Sequence, residues 1–332
     1  MRKFAPMIQA KEVKEQINRF AWLRKPFLFA VDYEMKQGFL IENPINERSI
    51  LWRVGQYTNV QQPAICQTQQ ERKPFNITPI SEDIYRKKFE IIQHHLHQGN
   101  SFLANLTVST PISTGYSLKE VFERSNSPYA IFYPGRFVCF SPEIFVRIGR
   151  TGVISSFPMK GTIDAETDNA KEIILNNAKE AAEHFTVVDL IRSDISHIAH
   201  NVRVERLRYI DALTTSKGRI LQVSSEIKGD ITGDWHHQLG DKLWELLPAG
   251  SITGAPKPST IRAIAEAEQD ERGFYTGIFG YFDGETLDSA VMIRYIEETE
   301  KGLIFRSGGG ITVNSNCYEE YQEVLKKVYL PF

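Results

Sequence analysis

Apolar residues returning every third or fourth position mark helices at several points of the chain. SEDIYRKKFEIIQHHLHQG, residues 81–99, combines a leading serine, helical apolar spacing and a closing glycine, which predicts a capped helix. The longest such pattern runs from about Asp168 to His200, with Ile174, Ala181, Phe185, Val188, Ile191, Ile195 and Ile198 on one stripe and Thr167 or Asp168 as its cap. HHQLGDKLWELL, PSTIRAIAEAEQ and the terminal YEEYQEVLKKVY predict three more helices. Between them SFLANLTVSTPI, YAIFYPG, RFVCFSPEIFVRIG, GVISSFPMKG, GIFGYFDG, DSAVMIRYIE and GLIFRSGGGITV are β-branched or aromatic runs close to Gly or Pro, which predict strands. PFLFAVDY, GFLIEN and SILWRVG read as short strands as well, so residues 1–72 are expected to be an amino-terminal β-rich portion. The polar QTQQERKPFNITPIS marks the boundary to a main domain over 73–332, the two forming one continuous unit. Strand pairs followed by helices, without a regular βαβ alternation, predict an α+β fold with antiparallel sheet.

Composition narrows the function. The 332 residues, 42% of them hydrophobic, suffice for a substantial core. Lys plus Arg (39) nearly cancel Asp plus Glu (41), and no basic tract interleaves with aromatics, so the expected ligand is a small molecule, neither nucleic acid nor a membrane surface. Cys66, Cys139 and Cys317 lack CxxC spacing and suit reduced thiols. The amino terminus lacks the apolar core of a signal peptide and no run of about 18 apolar residues occurs, so a cytoplasmic protein is expected.

Several segments could carry chemistry. In the terminal helix Glu320, Glu323 and Lys327 stand at i, i+3 and i+7 and so face one way, while Tyr321, Val324, Leu325 and Val328 share another side. Spacing alone describes a solvated face there. Glu180 and Glu183 repeat the arrangement one turn apart, with Glu183 bordering the apolar stripe. Two such pairs could supply the hard oxygen ligands that Mg²⁺ prefers, although each taken alone reads as solvated. GSITGAPK, residues 250–257, lacks the Gly-Lys-Ser/Thr ending of a phosphate loop, which argues against nucleotide binding. SGGGIT, residues 307–312, allows backbone NH groups to approach an anion closely, or forms a plain tight turn. Arg294 interrupts the apolar SAVMIRYIE: pointing inward it requires an anion, on an edge strand it faces water. Lys160, in SFPMKGTIDAETD, ends an apolar strand-like run and precedes three acidic residues, Asp164, Glu166 and Asp168. Such a lysine ordinarily reaches water, but if desolvated its pKa falls and the amine becomes a nucleophile or base. Glu143 in FSPEIF is an acid flanked by aromatics, either a proton donor with a raised pKa or a loop residue in water.

In this order, GNSFLANLT, FSPEIF, PMKGTID, AEHFTVVDLIRSD, PAGSITGAPK, RGFYTGIFGYF, DSAVMIRYI, SGGGIT and EEYQEVLKK resemble the chorismate-utilising enzymes, and within them the aminodeoxychorismate synthase component I branch. The resemblance covers residues from about 75 to 332, and residues 1–72 are loosely similar to a shortened version of the family's amino-terminal strands. It implies one α+β unit of two large antiparallel sheets with surrounding helices, binding chorismate with Mg²⁺. By position it assigns Glu180, Glu183, Glu320 and Glu323 to the metal, with the substrate's ring carboxylate completing the shell. Tyr275, Arg294, the backbone of Gly308, Gly309 and Gly310, and Lys327 would hold the substrate carboxylates, with Thr253 nearby.

Lys160 then discriminates within the family, because anthranilate synthases carry alanine where PMKGT has its lysine. The resemblance implies that the Lys160 amine attacks ring carbon C2 and expels the C4 hydroxyl, with Glu143 as general acid. Ammonia then attacks C4 and expels the lysine, giving 4-amino-4-deoxychorismate on the way to para-aminobenzoate and folate. Glutamine would be its source through a partner amidotransferase subunit, since this chain shows no glutaminase Cys-His-Glu set. Enzymes that add water use a lysine in the strand matching SFLANLT, where this chain has Leu103 and Asn105. Leu103 also stands where relatives commonly have glutamine. Gln222 in LQVSSEIKG replaces a familial histidine and cannot shuttle protons, which disfavours elimination of pyruvate. His184 in AEHF is more like the anthranilate enzymes. The alternatives are therefore anthranilate synthase component I and a chorismate-binding subunit with little turnover of its own.

Overall fold

The computed structural model describes residues 5–60, 73–215 and 218–332. The elements begin with β1 (Ile8–Gln9), α1 (Ala10–Trp22), β2 (Phe27–Val31), β3 (Gln37–Glu42), β4 (Leu51–Val54), β5 (Tyr57–Thr58) and β6 (Phe75–Ile77). The middle of the chain forms α2 (Glu82–His97), β7 (Leu103–Thr114), α3 (Leu118–Arg124), β8 (Tyr129–Tyr133), β9 (Phe137–Ser141), β10 (Ile144–Ile148), β11 (Val153–Ser156) and β12 (Met159–Asp164). Next come α4 (Ala170–Asn176), α5 (Ala178–Ser196), β13 (His200–Thr215), β14 (Gly218–Asp230), α6 (Leu239–Leu246), β15 (Gly254–Ala255) and α7 (Lys257–Glu268). The chain closes with β16 (Ile278–Phe282), β17 (Leu287–Val291), β18 (Tyr295–Thr299), β19 (Gly302–Ile311) and α8 (Cys317–Lys326).

Among the described residues the strands form two antiparallel sheets. One runs β1-β3-β2-β16-β17-β10-β11-β14-β12, with β13 also on β14; the other runs β15-β7-β19-β18-β9-β8-β4-β5, with β6 also on β7. The fold is α+β. β2 shows how the sheets stack: Phe27, Phe29 and Val31 pack with Val13, Ile17 and Ala21 of α1 and Leu239 and Leu243 of α6, while Leu28 and Ala30 pack with Trp52, Phe137 and Tyr295 from the other sheet. A strand covered on both faces reads as the continuous apolar run FLFAV rather than as an alternation. Strands before residue 61 enter both sheets, β2 against β16 and β4 against β8. The expected boundary near residue 72 and Cys66 lie outside the described residues. No described helix is long and apolar enough to cross a membrane.

The structure departs from the sequence pattern in places that bear on the site. The amino-terminal portion holds the helix α1, whose Val13, Ile17 and Ala21 are buried at four-residue spacing. The helix expected over 168–200 is two, because Asn177 takes an extended conformation and caps α5 with its side chain. Neither Thr167 nor Asp168 caps α4; Asn169 stands there in the left-handed region, at φ 57°. RFVCFSPEIFVRIG and DSAVMIRYIE are each two strands, since the chain passes from one sheet to the other at Pro142–Glu143 and again at Met292–Arg294. The two crossings lie side by side: Val291 N–H donates to Glu143 O at 3.1 Å, and Phe140 N–H to Arg294 O at 3.0 Å. Arg294 therefore sits at neither an edge strand nor a simple inward strand position, but at a bend with φ 55°.

Candidate active site

Lys160 owes its orientation to a β-bulge. Met159 pairs with Ser224 but Thr162 pairs with Gln222, so the β12 backbone carries one extra residue across Lys160 and Gly161. Gly161 has φ 83°, which only glycine adopts without strain, and its missing side chain leaves room for Glu180, whose Oε2 would lie 3.3 Å from a Cβ there. Lys160 is thus inside a strand rather than at its end, and its Nζ contacts Glu183 Oε2 at 2.8 Å. The Asn177 side chain accepts the Glu180 N–H at 3.0 Å, which fixes Glu180 in the first turn of α5 and Glu183 one turn on.

Opposite this bulge lies the triple glycine. Gly308, Gly309 and Gly310 are interior residues of β19, paired with Thr107, Leu106 and Asn105 of β7, and do not form a turn. A Cβ on Gly310 would lie 3.8 Å from Lys160 Nζ and 3.1 Å from Leu103 Cδ1. One on Gly309 would lie 3.6 Å from Glu320 Oε2, 3.8 Å from Lys327 Nζ and 3.9 Å from Glu323 Oε1. The bare strand therefore has Lys327 and the α8 carboxylates beside Gly309 and Lys160 beside its neighbour Gly310. Asn316 caps α8; Glu320 is 3% exposed and accepts from Ser315 Oγ at 2.9 Å, whereas Glu323 stays exposed, so only part of this face is the solvated one that spacing alone suggests. Lys327 Nζ contacts Glu323 Oε1 at 2.7 Å and donates to Gly308 O at 2.8 Å.

The sheet crossings supply the remaining wall. Glu143 is partly buried and accepts a hydrogen bond from Ser251 Oγ, carried on the loop before β15. Burial pushes the Glu143 carboxyl above its ordinary range, against Ser251, Arg294, Lys160 and Lys327, which all pull it down. Arg294 Nε donates to Tyr329 Oη at 3.1 Å. Tyr275 is enclosed in the aromatic layer between the sheets, its ring 6.0 Å from that of Tyr295, and burial raises its phenol. Thr253 is fully buried and its hydroxyl donates to Ala249 O at 2.8 Å, so it braces the loop that carries Ser251.

Arg272 and Ser225, neither of them singled out by the sequence pattern, also hold these parts together. Arg272 is 1% exposed, forms a two-pronged pair with Glu268 at 2.7 and 2.9 Å, and donates to Ile252 O at 2.9 Å and Asn105 O at 2.6 Å. Its sequence signal is the i, i+4 spacing of Glu268 and Arg272 just before GFYTG. Behind Lys160, Ser225 Oγ accepts the Arg208 N–H at 2.9 Å and is hydrogen-bonded to His184 Nε2 at 2.7 Å. Burial, with Arg208 and Lys160, brings the His184 pKa down to about 4, so the ring is neutral. Gln222 is buried in β14 beside Thr162.

The two lysines differ in charge balance. Burial pulls the Lys160 ammonium down, but Glu183, Glu323 and Glu180 together outweigh it and the pKa rises, contrary to the fall expected for a desolvated amine. For Lys327 burial wins, helped by Arg294 and Lys160 against the single carboxylate Glu323, and the pKa falls. Among the described residues no three His, Cys, Asp or Glu side chains converge as a metal ligand set. The four glutamates offer the donor chemistry of a Mg²⁺ site, arranged as two pairs that each contact a lysine.

Known proteins agree with this architecture. The family description "chorismate binding enzyme" matches residues 3–331. The chain is 47% identical over 321 residues to an uncharacterized PabA-like protein of Pasteurella multocida, covering 96% of this chain and 97% of that one. It is 30% identical over 278 residues to aminodeoxychorismate synthase component 1 of Salmonella typhimurium, covering 77% of this chain and 60% of that protein. The crystal structure of anthranilate synthase component I from Streptococcus pneumoniae matches with a TM-score of 0.71 at 22% identity, over 92% of this chain and 79% of that one, a likeness of fold. The chain belongs to the chorismate-binding enzymes.

Proposed function

We propose that the chain aminates chorismate at C4, as the synthase component of an aminodeoxychorismate synthase that takes ammonia from a glutamine amidotransferase partner. The observation that carries this reading is Lys160: a bulge aims it at the bare Gly310 surface, with Glu183 in contact and Glu143 close enough to feel its charge. The substrate is a dianion. Lys327, Arg294 and the β19 backbone are its counter-charges, and the glycines let its carboxylate approach the strand.

Lys160 must lose a proton before it attacks C2, and Glu183 is the group in contact to take it. As the amine bonds to C2 the ring double bonds shift, the C4–O bond breaks, and Glu143 protonates the departing oxygen to give water. Ammonia then bonds to C4, the C2–N bond to Lys160 breaks with its electron pair returning to the lysine, and Glu143 accepts the proton that the new amine sheds. The enolpyruvyl group stays, which suits a site with Gln222 in place of a histidine. Mg²⁺ held by Glu180, Glu183, Glu320 and Glu323 would supply a charge that binds the ring carboxylate and offsets the carboxylates now sustaining the Lys160 proton.

Purified protein with chorismate, Mg²⁺ and ammonium should yield 4-amino-4-deoxychorismate by mass spectrometry. His184, the residue of AEHF that is more like the anthranilate enzymes, favours a second reading, anthranilate synthase component I, and fluorescent anthranilate in the same assay would establish it instead. Chorismate binding by calorimetry with neither product would leave a binding subunit.

A further inference from the structure

A small cavity borders Glu143. Its walls are β10, β11, one face of α5 and the loop before β15, and none of Lys160, Gly308–Gly310, Lys327, Arg294 or the four glutamates lines it. About 20 Å³ is open to the centre of a water-sized sphere, enough for one such guest and far too little for a ring or a second carboxylate. Val146, Ile191, Ile195 and Ala249 make much of the wall apolar.

The polar part of the lining is one-sided. Ser156 Oγ gives its hydrogen to Phe145 O at 3.0 Å, and Ser251 Oγ gives its hydrogen to Glu143. Asp194 receives Lys257 Nζ at 2.8 Å. Once Glu143 has given up its proton, the side chains of the cavity present lone pairs, from two hydroxyls and two carboxylates, and both hydroxyl hydrogens are already committed. A guest matches this lining by donating. Water brings two hydrogens, whereas ammonia brings three and a single lone pair. That one pair is the nucleophile, and it is best left unbonded.

We propose that this cavity seats the second substrate, neutral ammonia, beside Glu143 once the C4–O bond has broken and Glu143 has lost its proton. The proposal rests on the amination reading above. It gives Glu143 a second contact: once its proton has gone to the leaving oxygen, the resulting carboxylate holds an ammonia N–H and takes that proton as the C4–N bond forms. It also assigns the Asp194–Lys257 pair a positioning role, tying α5 to the start of α7, which follows β15 and the loop that carries Ser251.

The test fills and enlarges the cavity at Ile191, two turns beyond Glu183 on α5. Ile191→Phe should raise the KM for ammonium at least tenfold, with the KM for chorismate within twofold of wild type and chorismate binding retained by calorimetry. Ile191→Ala should admit methylamine and raise the yield of the N-methyl product at least tenfold over wild type. A wild-type enzyme that aminates chorismate, together with an Ile191→Phe protein that binds chorismate and keeps the wild-type ammonium KM, overturns the cavity assignment alone. A hydroxylated ring product in place of the amine identifies the guest as water and overturns it as well. No amination by wild type at any ammonium concentration removes the functional reading, and the cavity's role with it.

Discussion

Lys160 and Lys327 face the same glycine strand and are equally enclosed, each with 24% of its side chain exposed, yet their pKa values move in opposite directions. Burial therefore does not distinguish them; their neighbours do. Lys160 comes from a strand of one sheet and meets carboxylates from two helices, Glu183 and Glu180 on α5 and Glu323 on α8. Lys327 comes from the end of α8 and meets Glu323 of its own helix plus two cations. Its partner is 48% exposed, against 8% for Glu183. A lysine surrounded by acids has somewhere to send a proton and can be switched by neutralising them. One amid cations, anchored on a backbone carbonyl, suits a fixed counter-charge for a dianion. On the proposed function, the contrast suits Lys160 to chemistry and Lys327 to binding.

The most severe test of that division is Lys160→Ala. Amination should fall by on the order of 10³-fold or more, since the nucleophile is gone, while calorimetric affinity for chorismate changes little. Retained turnover would remove the nucleophile assignment. Lys327→Ala should do the reverse. Losing one charge-assisted contact costs about 1.5–3 kcal/mol, or roughly 10- to 100-fold in KM for chorismate, with kcat much less affected. If both variants lose kcat alike, the two lysines form one catalytic unit and the contrast fails.

Glu143 feels both lysines, which gives a subtler measurement. Its carboxyl is raised by burial, and as a general acid it works protonated, so kcat should decline as pH climbs through that raised pKa. Lys327, Arg294, Lys160 and the Ser251 hydrogen bond each pull the value down. Removing any of them lets it rise further, so Lys327→Ala and Ser251→Ala should both carry the alkaline limb to higher pH. An unmoved limb in both would mean that another group sets it.

Those parts of the site that follow from local pattern were legible in the sequence. The Glu320, Glu323 and Lys327 face needs only helical geometry, and α8 presents it. The strands flanking the glycines follow from their apolar content, but three glycines alone do not separate a turn from a bare strand; pairing with β7 decides it. Three features depend on contacts far away in the chain. The bulge at Lys160 exists only relative to the register of β14, and the crossing at Arg294 only because β17 and β18 find partners in different sheets. The long apolar stripe hid the break at Asn177, because Ile174 of α4 and Val188 and Ile195 of α5 are all buried, although Phe185 of the same stripe is exposed. Arg272 escaped notice because a buried arginine looks, in sequence, like a surface one until Glu268 and two carbonyls close on it.

The smallest expected effects, at Gly309 and Gly310, divide the two lysines most finely. Neither glycine needs a positive φ, so alanine is tolerated by the backbone at both and differences come from what the methyl meets. At Gly309 the methyl would sit at ordinary contact distance, 3.6–3.9 Å, from Glu320, Lys327 and Glu323. It occupies space where the substrate carboxylate would meet its counter-charge, and Gly309→Ala should raise the KM for chorismate up to about tenfold while sparing kcat. At Gly310 the methyl would press on Leu103 at 3.1 Å and touch Lys160 at 3.8 Å. Leu103 can shift, so folding survives. The Lys160 amine is displaced from its line of attack, however, and such misplacement lowers kcat by roughly tenfold or less for a few tenths of an ångström. The pair thus repeats the lysine contrast without altering a charge. Adjacent residues on one strand should separate KM from kcat; if instead both substitutions raise KM alone, Lys160 is being read as a nucleophile when it serves, like Lys327, to hold the anion.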